Sequence, residues 1–560
     1  VLDGRRGERI LSYLLEEGAL APEDVLVPRE LPMRDALLVH TDDYLESLDR
    51  PETLGRMFPN VDAASSPATL FHAARLAAGG TVLAAEWAVK HSFITTPILN
   101  LGGGFHHAKR SSGAGYCALA DVAIAIAVLR RGGFLGRVLI VDLDAHHGDG
   151  NLELFADDPT VFTYSIHLGD LTRTPAVMNL DVELSPGTGD ATYLRALRET
   201  LDLAMMRARP ALAFYLAGAD VAKNDLIGTF RLTDDAIARR DQFVLRTLTR
   251  IPTVVCLAGG YGPEAWRHPA RTALWLLTGD DQPIASREEV KLAAFRAIKS
   301  SLSPRKLRVG TDDDATILTE ADLYGDLVQK RPTPGFLGFY SSVGLEVAAE
   351  RYGLLGHLRA RGYDPEIVIE RDAAGRHTLR FFGDESRTEL LIELAIDTLI
   401  EHDRRLLSIE WLLLQDPRRP PERPLLPGQR YPGLGCLDIV IGMLVMAAER
   451  LDLDGLSLVP SQFHVAQSAR RLFRFESPLA EARHLWLAQA VAHLPRHEGI
   501  AAISSGRVRD TTSGEPVRYE PERMILPVSA RMKAALDAEQ FSRAVEDHAA
   551  HLHPLEVVGG

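Results

Sequence analysis

The stretch RVLIVDLDAHHGDG, residues 137–150, decides how the first half of this chain folds. It begins as an apolar run rich in Val, Leu and Ile, Arg137–Val141, and passes directly into Asp142, Asp144, His146, His147 and Asp149. A short apolar run reads as a strand buried on both faces, and a charged cluster at its end reads as the mouth of a site. Similar runs lie on either side: Ala36–Val39, Pro97–Leu101, Thr160–Ile166, Ala211–Leu216 and Pro252–Leu257. Amphipathic, helix-like stretches such as Asp121–Arg131 and Tyr193–Arg207 separate them. Strands alternating with helices predict an α/β fold, an open and mostly parallel sheet with helices on both faces. Such sheets place their sites beyond the carboxyl ends of the strands.

Several of these runs end in polar clusters of their own. Pro97–Leu101 leads into Gly102-Gly103-Gly104-Phe105-His106-His107, and Thr160–Ile166 contains Ser165 and ends at His167. Ala211–Leu216 leads into Gly218-Ala219-Asp220, and Pro252–Leu257 into Gly259-Gly260-Tyr261-Gly262. A single Asp or His at a strand end is commonly a cap, and a single run of glycines a turn. Five clusters at five strand ends on one sheet edge are better explained as one site. Asp142, Asp144 and His146 alternate, so an extended chain points them to one face. Two carboxylates and an imidazole so placed, with no basic residue beside them, call for a cation. Asp144, His146 and Asp220 supply three mixed oxygen and nitrogen ligands, the open set of a catalytic divalent metal. Zinc is the default for such ligands, and Fe(II) or Co(II) fits the same set. His106 and His107 suit proton transfer, Asp142 and Asp149 suit orienting them, and Tyr261 suits donating to a developing oxyanion.

Bulk properties narrow the class. The chain has 560 residues and a formal net charge of −14, with 46% hydrophobic and 25% charged residues. That length implies two or more domains. With charges mixed and no basic patch, direct nucleic-acid binding is not expected. Cys117, Cys256 and Cys436 are far apart, which excludes a disulfide framework and suits a reducing cytoplasm. No apolar run reaches the roughly 20 residues of a membrane span, and no signal peptide is visible. The first residue is Val1, not Met, and the sequence leaves open whether residues precede it.

The segments LNLGGGFHHAKRSSGAGYC, VLIVDLDAHHGDGNLELF, YSIHLG, LAGADVAKNDLIGTFRLT and LAGGYGPEAW resemble the successive motifs of the histone deacetylase family, over about residues 5–280. The resemblance implies an arginase/deacetylase-like fold and hydrolysis of the amide of an acylated lysine through attack of a metal-bound water. It implies zinc on Asp144, His146 and Asp220, and the tandem histidines His106 and His107 as general acid and base, with His107 the base. It pairs Asp142 with His106 and Asp149 with His107, and makes Tyr261 the residue that polarises the scissile carbonyl. It further implies a structural potassium at Asp142, Asp144, His146, Ser165 and Ile166. Gly115 would accept the substrate amide N–H, and Tyr116 would form one wall of an acyl-lysine tunnel. The second aromatic wall, expected after His167, is missing from Leu168–Val177, and the N-terminus looks shorter than is usual for the family. Ile227 stands where polyamine-selective relatives carry a carboxylate, which favours acyl-lysine over an acetylpolyamine.

The texture changes after Thr278. We expect a catalytic domain over 1–285, a linker region over 286–333 and a C-terminal α+β or α/β domain over 334–560 that folds on its own and adds nothing to the metal site. Its helix, strands, Arg430–Gly435 loop and following helix resemble GNAT-type acetyltransferases in one short match, with acyl-CoA as the implied ligand. Three alternatives to the deacylase therefore stand: a bifunctional deacylase and acyltransferase, an acyl-lysine recognition module with a structural metal, and an acetylpolyamine or small acylated amine hydrolase. The partners expected are an acylated protein or peptide lysine or a small acylated amine, with neither nucleic acid nor membrane. The sequence leaves oligomeric state open.

Overall fold

In a computed structural model the chain is described over residues 3–58, 67–93, 96–169, 176–309, 335–371, 376–401, 403–421, 425, 429–492, 494–536 and 539–558. It divides into two compact units, the first holding Val1–Ile284, Pro478–Tyr519 and Glu539–Gly560, the second Ala285–Ser477 and Glu520–Ala538.

The first unit is built on six parallel strands: β1 (Ile98–Asn100), β2 (Val138–Asp142), β3 (Val161–Leu168), β4 (Asn179–Leu184), β5 (Leu212–Leu216) and β6 (Thr253–Cys256). Their order across the sheet is β1-β6-β5-β2-β3-β4. The period-2 alternation of a strand sorts their side chains onto two faces. Leu139, Val141, Phe162, Tyr164, Ala213 and Tyr215 meet the helices Asp190–Ala208 and Asp234–Thr247. Val138, Ile140, Val161, Leu212, Phe214 and Leu216 meet the helices Pro67–Lys90 and Asp121–Arg131. Both faces are covered, so every residue of β2, β3, β5 and β6 is buried. That is why their sequences read as continuous apolar runs.

Two local expectations change. Ala36–Val39 is no strand: it closes the short helix Met33–Ala36, with Ala36 and Val39 buried and Leu37 and Leu38 exposed. That is helical spacing, not alternation. β4 was not expected, because as an edge strand it carries Asp181 and Glu183 between apolar residues.

The division of the chain also differs from the expected one. The helices Pro478–Ala490 and Glu539–Ala550 belong to the first unit and share a core of Ala482, Leu485, Val545 and Ala549. Arg231 donates to Glu481 at 2.6 Å, with both side chains almost fully buried. Glu546 accepts from the Gly189 N–H at 2.6 Å and from the Thr192 hydroxyl at 3.0 Å, capping the helix Asp190–Ala208. Two short strands, β13 (Val508–Asp510) and β15 (Leu555–Val557), pair antiparallel in the same unit. Nothing in local composition marks these segments, since their assignment rests on partners some 250 to 350 residues away.

The second unit has a seven-stranded sheet: β7 (Glu366–Arg371), β8 (His377–Phe382), β9 (Leu390–Glu401), β10 (Arg404–Leu414), β11 (Gly455–Leu458), β12 (Arg474–Phe475) and β14 (Met524–Pro527). Its order is β12-β14-β11-β10-β9-β8-β7, with β10 and β11 parallel and the other neighbours antiparallel. Arg430–Gly435 leads into the helix Leu437–Arg450, as expected. The expected helix over Val343–Arg361 is two helices, Ser342–Arg351 and Leu354–Arg359. They break at Gly353, whose φ of +83° a helix does not accept. Of the expected linker region, residues 287–301 form a helix and residues 310–333 lie outside the described ones. Cys117, Cys256 and Cys436 are buried free thiols. Among the described residues no helix is long and apolar enough to cross a membrane.

Candidate active site

The carboxyl ends of β1, β2, β5 and β6 bring the expected clusters together. Asp144 and Asp220 are 1% and 0% exposed, and the His146 Nδ1 lies 2.8 Å from the Asp220 Oδ2 and 3.1 Å from the Asp144 Oδ1. One ligand atom from each of the three residues lies within 4.8 Å of the others. Burial and the neighbouring Asp144 push Asp220 up to about 6. Two carboxylates held this close out of water leave a local excess of negative charge that a cation relieves. Glycine lines the same space. A Cβ on Gly259 would fall 2.5 Å from the Asp144 Oδ2 and 2.7 Å from the Asp220 Oδ2, inside the cradle between them. The donor set and the cradle both fit a divalent ion.

The tandem histidines sit beside this cluster, each tied through Nδ1 to its own carboxylate. The His106 Nδ1 is 2.8 Å from the Asp142 Oδ2, and the His107 Nδ1 is 2.7 Å from the Asp149 Oδ1. Each carboxylate accepts the Nδ1–H, so each ring keeps Nε2 for other work. Their charge states diverge. Burial opposes a charge on His106, but Asp142 and Asp144 outweigh it and raise its pKa to about 9. Burial and the charge on His106 instead lower His107 below its ordinary value, only partly offset by Asp149. Asp149 is itself held well below the carboxylate range: burial opposes this, and His107 and Lys109 overcome it. Adjacent residues thus become an imidazolium and a neutral imidazole.

Tyr261 stands 6.4 Å, ring to ring, from His146 and 5.5 Å from Tyr116, while His107 stands 6.3 Å from His146. Burial, with Asp144 and Asp220 nearby, raises the Tyr261 phenol well above its ordinary value, so it keeps its proton. Gly115 and Tyr116 both have positive φ, +52° and +67°, and a Cβ on Gly115 would lie 2.5 Å from the His107 ring. Only glycine lets this turn press against the histidine. Phe58 packs edge-on against Tyr116 at 6.1 Å. This aromatic comes from the N-terminal side of the unit, and residues 170–175, within the loop where a second aromatic was sought, lie outside the described ones. Ile227 is partly buried, and its N–H bonds to Asp225 at 2.8 Å.

Ser165 is paired in register with Asp142 across β2 and β3. Its Oγ is buried and finds no hydrogen-bond partner among the described residues, and Ile166 is fully buried beside it. An orphaned buried oxygen next to Asp142 suits the expected monovalent ion.

Four supporting residues escaped the sequence reading. Asp121 accepts from the Gly104 and Phe105 N–H groups, both at 2.8 Å, and so shapes the loop that presents His106 and His107. Arg240, fully buried, donates to the Leu143 and Gly218 carbonyls at 3.1 and 2.7 Å, tying together the strand ends that bear Asp144 and Asp220. Asp225 accepts from the Tyr261 N–H at 2.7 Å, and Arg6 donates to the Gly259 carbonyl at 2.8 Å, so both steady the Tyr261 loop. Asp225 alone had a signal, since it falls within the motif around Asp220. Arg6, Asp121 and Arg240 lie on helices and act through backbone groups distant in sequence.

The geometry agrees with what comparison with known proteins finds. A family model described as a histone deacetylase domain matches residues 2–277. An uncharacterized protein of Picosynechococcus sp. is 37% identical over 254 residues, 44% of this chain and 79% of its own length. Histone deacetylase 2 of Arabidopsis thaliana is 33% identical over 272 residues, 46% of this chain and 69% of its own. A probable deacetylase of Archaeoglobus fulgidus is 31% identical over 278 residues, 46% of this chain and 76% of its own.

Proposed function

This chain belongs to the histone deacetylase family, and from that premise we propose that its first unit hydrolyses the amide of an acylated lysine with zinc held by Asp144, His146 and Asp220. The observation that carries the reading is the convergence of three different chemistries on one point. A ligand triad with two buried carboxylates, a neutral imidazole and a protonated phenol lie within ring separations of 6.3 and 6.4 Å. A binding module with a structural metal needs the triad but neither the imidazole nor the phenol.

When bound, the ion supplies Lewis-acid polarisation of the substrate carbonyl and makes water easier to deprotonate. The chain's own residues do the rest. Neutral His107 takes a proton from the attacking water at Nε2, and Asp149 stabilises the imidazolium that results. That proton then passes to the departing lysine amine. His106, paired with Asp142, adds positive charge as the tetrahedral oxyanion develops. The Tyr261 O–H donates to the same oxygen, and the bond strengthens as charge builds there. Gly115 accepts the substrate amide N–H, and Tyr116 lines the path of the lysine stem. A potassium ion at Asp142, Asp144, His146, Ser165 and Ile166 would brace the strand ends.

Ile227 supports acyl-lysine as substrate, because an apolar side chain offers no counter-charge to a polyamine. The test is a hydrolysis assay of the zinc-loaded full chain on acyl-lysine peptides of graded chain length, beside acetylated polyamines. We expect turnover of acetyl-lysine peptide and weak turnover of polyamine. A preference for polyamine would overturn the substrate class, and no hydrolysis of either would overturn the reaction.

A further inference from the structure

A second cluster of ligating side chains lies at the carboxyl end of β3, apart from the triad described above. His147, from the loop after β2, His167, from β3, and Asp181, from β4, each offer a ligand atom within 4.8 Å of the others. The mechanism uses none of them. The His147 and His167 rings lie face to face at 4.4 Å, tilted by 32°. The His147 Nε2 is 3.7 Å from the Asp181 Oδ2, and the His167 Nε2 is 4.0 Å from the Asp181 Oδ1. Both separations exceed a hydrogen bond. They are close to the roughly 3.3 Å that separates neighbouring ligands around a tetrahedral ion with bonds of about 2.0 Å.

The orientation of each group agrees. The His167 Nδ1 is 2.7 Å from the Leu168 carbonyl, which only accepts, so Nδ1 carries the proton. That leaves the Nε2 lone pair directed into the cluster, where it is buried and has no hydrogen-bond partner among the described residues. His167 is 2% exposed. A backbone carbonyl on one ring nitrogen and a free lone pair on the other is the usual preparation of a metal-binding histidine. Asp181 is oriented as well, since its Oδ2 accepts from the Asn179 amide at 2.7 Å and its Oδ1 is left toward His167.

We propose that His147, His167 and Asp181 form a second divalent-metal site, of structural kind, that fastens the loop after β2 to the ends of β3 and β4. Two imidazole nitrogens and one carboxylate oxygen suit zinc or a neighbouring transition ion better than magnesium or calcium, which favour all-oxygen shells. A water completes the fourth position on the partly open Asp181 side, where the side chain is 25% exposed. His147 directly follows His146 in the chain, so an ion here would limit the movement of the loop that carries a catalytic-site ligand.

The test strips the full chain with a chelator, adds zinc alone and counts the ions retained after dialysis. The wild type should hold about two per chain, and His167→Ala and Asp181→Asn about one each, while Asp220→Ala also holds about one by emptying the other site. In the Asp220→Ala background, added zinc should raise Tm, and the further change Asp181→Asn should remove that rise. Asp181→Asn is conservative and partly exposed, so it serves where His167→Ala fails to fold. The proposal is overturned if folded Asp181→Asn retains as many zinc ions as the wild type. Full retention in Asp220→Ala, with loss in Asp181→Asn, would instead overturn the catalytic metal site and leave this one standing.

Discussion

The two sheets of this molecule treat charge in opposite ways. In the first unit Asp142, Asp144 and Asp220 are buried side by side at strand ends, and burial leaves Asp220 with a pKa near 6. In the second unit the charges on the sheet meet across neighbouring strands near water, as Arg380 does with Glu370 and Glu393. Its buried carboxylate Asp416 accepts from the Tyr363 hydroxyl at 2.6 Å, with Arg361 nearby. The second unit also has a partly open pocket of about 50 Å³, lined by apolar and aromatic side chains such as Phe336, Tyr352, Phe381 and Leu444. The difference teaches that a strand-and-helix layout alone says little about chemistry. What marks a site is buried charge that the fold leaves uncompensated.

The hardest test of that contrast is Asp220→Ala. Removing one ligand of the triad should lower retained metal by about one ion per chain and reduce hydrolysis to background, as read by metal analysis and a peptide assay on the same sample. Metal retained at the wild-type count in the variant would mean that the buried charges of the first unit are structural, like those of the second.

Next in size is Glu481→Gln. It leaves the Arg231 guanidinium buried without its counter-charge, and breaking such a pair costs about 3–5 kcal/mol. Arg231 lies at the base of the 220–232 loop, where the Leu232 N–H bonds to Val221 and the Lys223 N–H to Leu232. We therefore expect a lower Tm and a weaker hold on the loop that carries Asp220. A chain ending at residue 477 should show both effects more strongly. Unchanged stability in that truncated chain would restore the simpler division, with the whole second half independent of the first.

Tyr261→Phe should lower turnover on the order of 100- to 1,000-fold, about 3–4 kcal/mol, with metal content and fold retained. The phenol acts on a charge that exists only during reaction, so the loss should appear in kcat more than in KM. Turnover close to wild type would remove Tyr261 from the mechanism.

The pH dependence should separate the two histidines. His107 works as a base only when neutral, so activity holds above its pKa and is lost as pH falls through it. Because burial and His106 lower that pKa, the acid limb of kcat/KM should lie below 6.5. Asp149 raises the pKa of His107, so Asp149→Asn should move the limb to still lower pH, along with a loss of rate. A limb that stays in place would mean that it belongs to another group.

The smallest effect belongs to the second unit. Arg380→Ala cuts two partly exposed ion pairs and should cost about 1 kcal/mol or less, with hydrolysis unchanged. A marked loss of activity from this change would show that the second sheet influences the site.

Much of the first unit was legible because its chemistry is local in sequence. Residues 138–150 carry a strand, two of the proposed metal ligands and both carboxylate partners of the histidines in one short segment. Ala36–Val39 misled for the opposite reason: four apolar residues suit a strand or a helical turn, and only packing chooses between them. β4 was hidden because an edge strand tolerates the acidic residues that a central one excludes.

What the sequence determined by itself, then, is the parallel sheet and the clusters at its strand ends. Each depends on residues within one turn or strand of one another, where periodicity and residue type are enough. Only the tertiary structure decided that Arg240 ties two strand ends together, that Asp225 holds Tyr261, that His147 and His167 meet Asp181, and that Glu481 and Glu546 belong with the first unit. Those pairings join positions from 14 to 357 residues apart. Each pairing offsets the cost of taking a charge or a lone pair out of water, and no local pattern records which distant partner folding will supply.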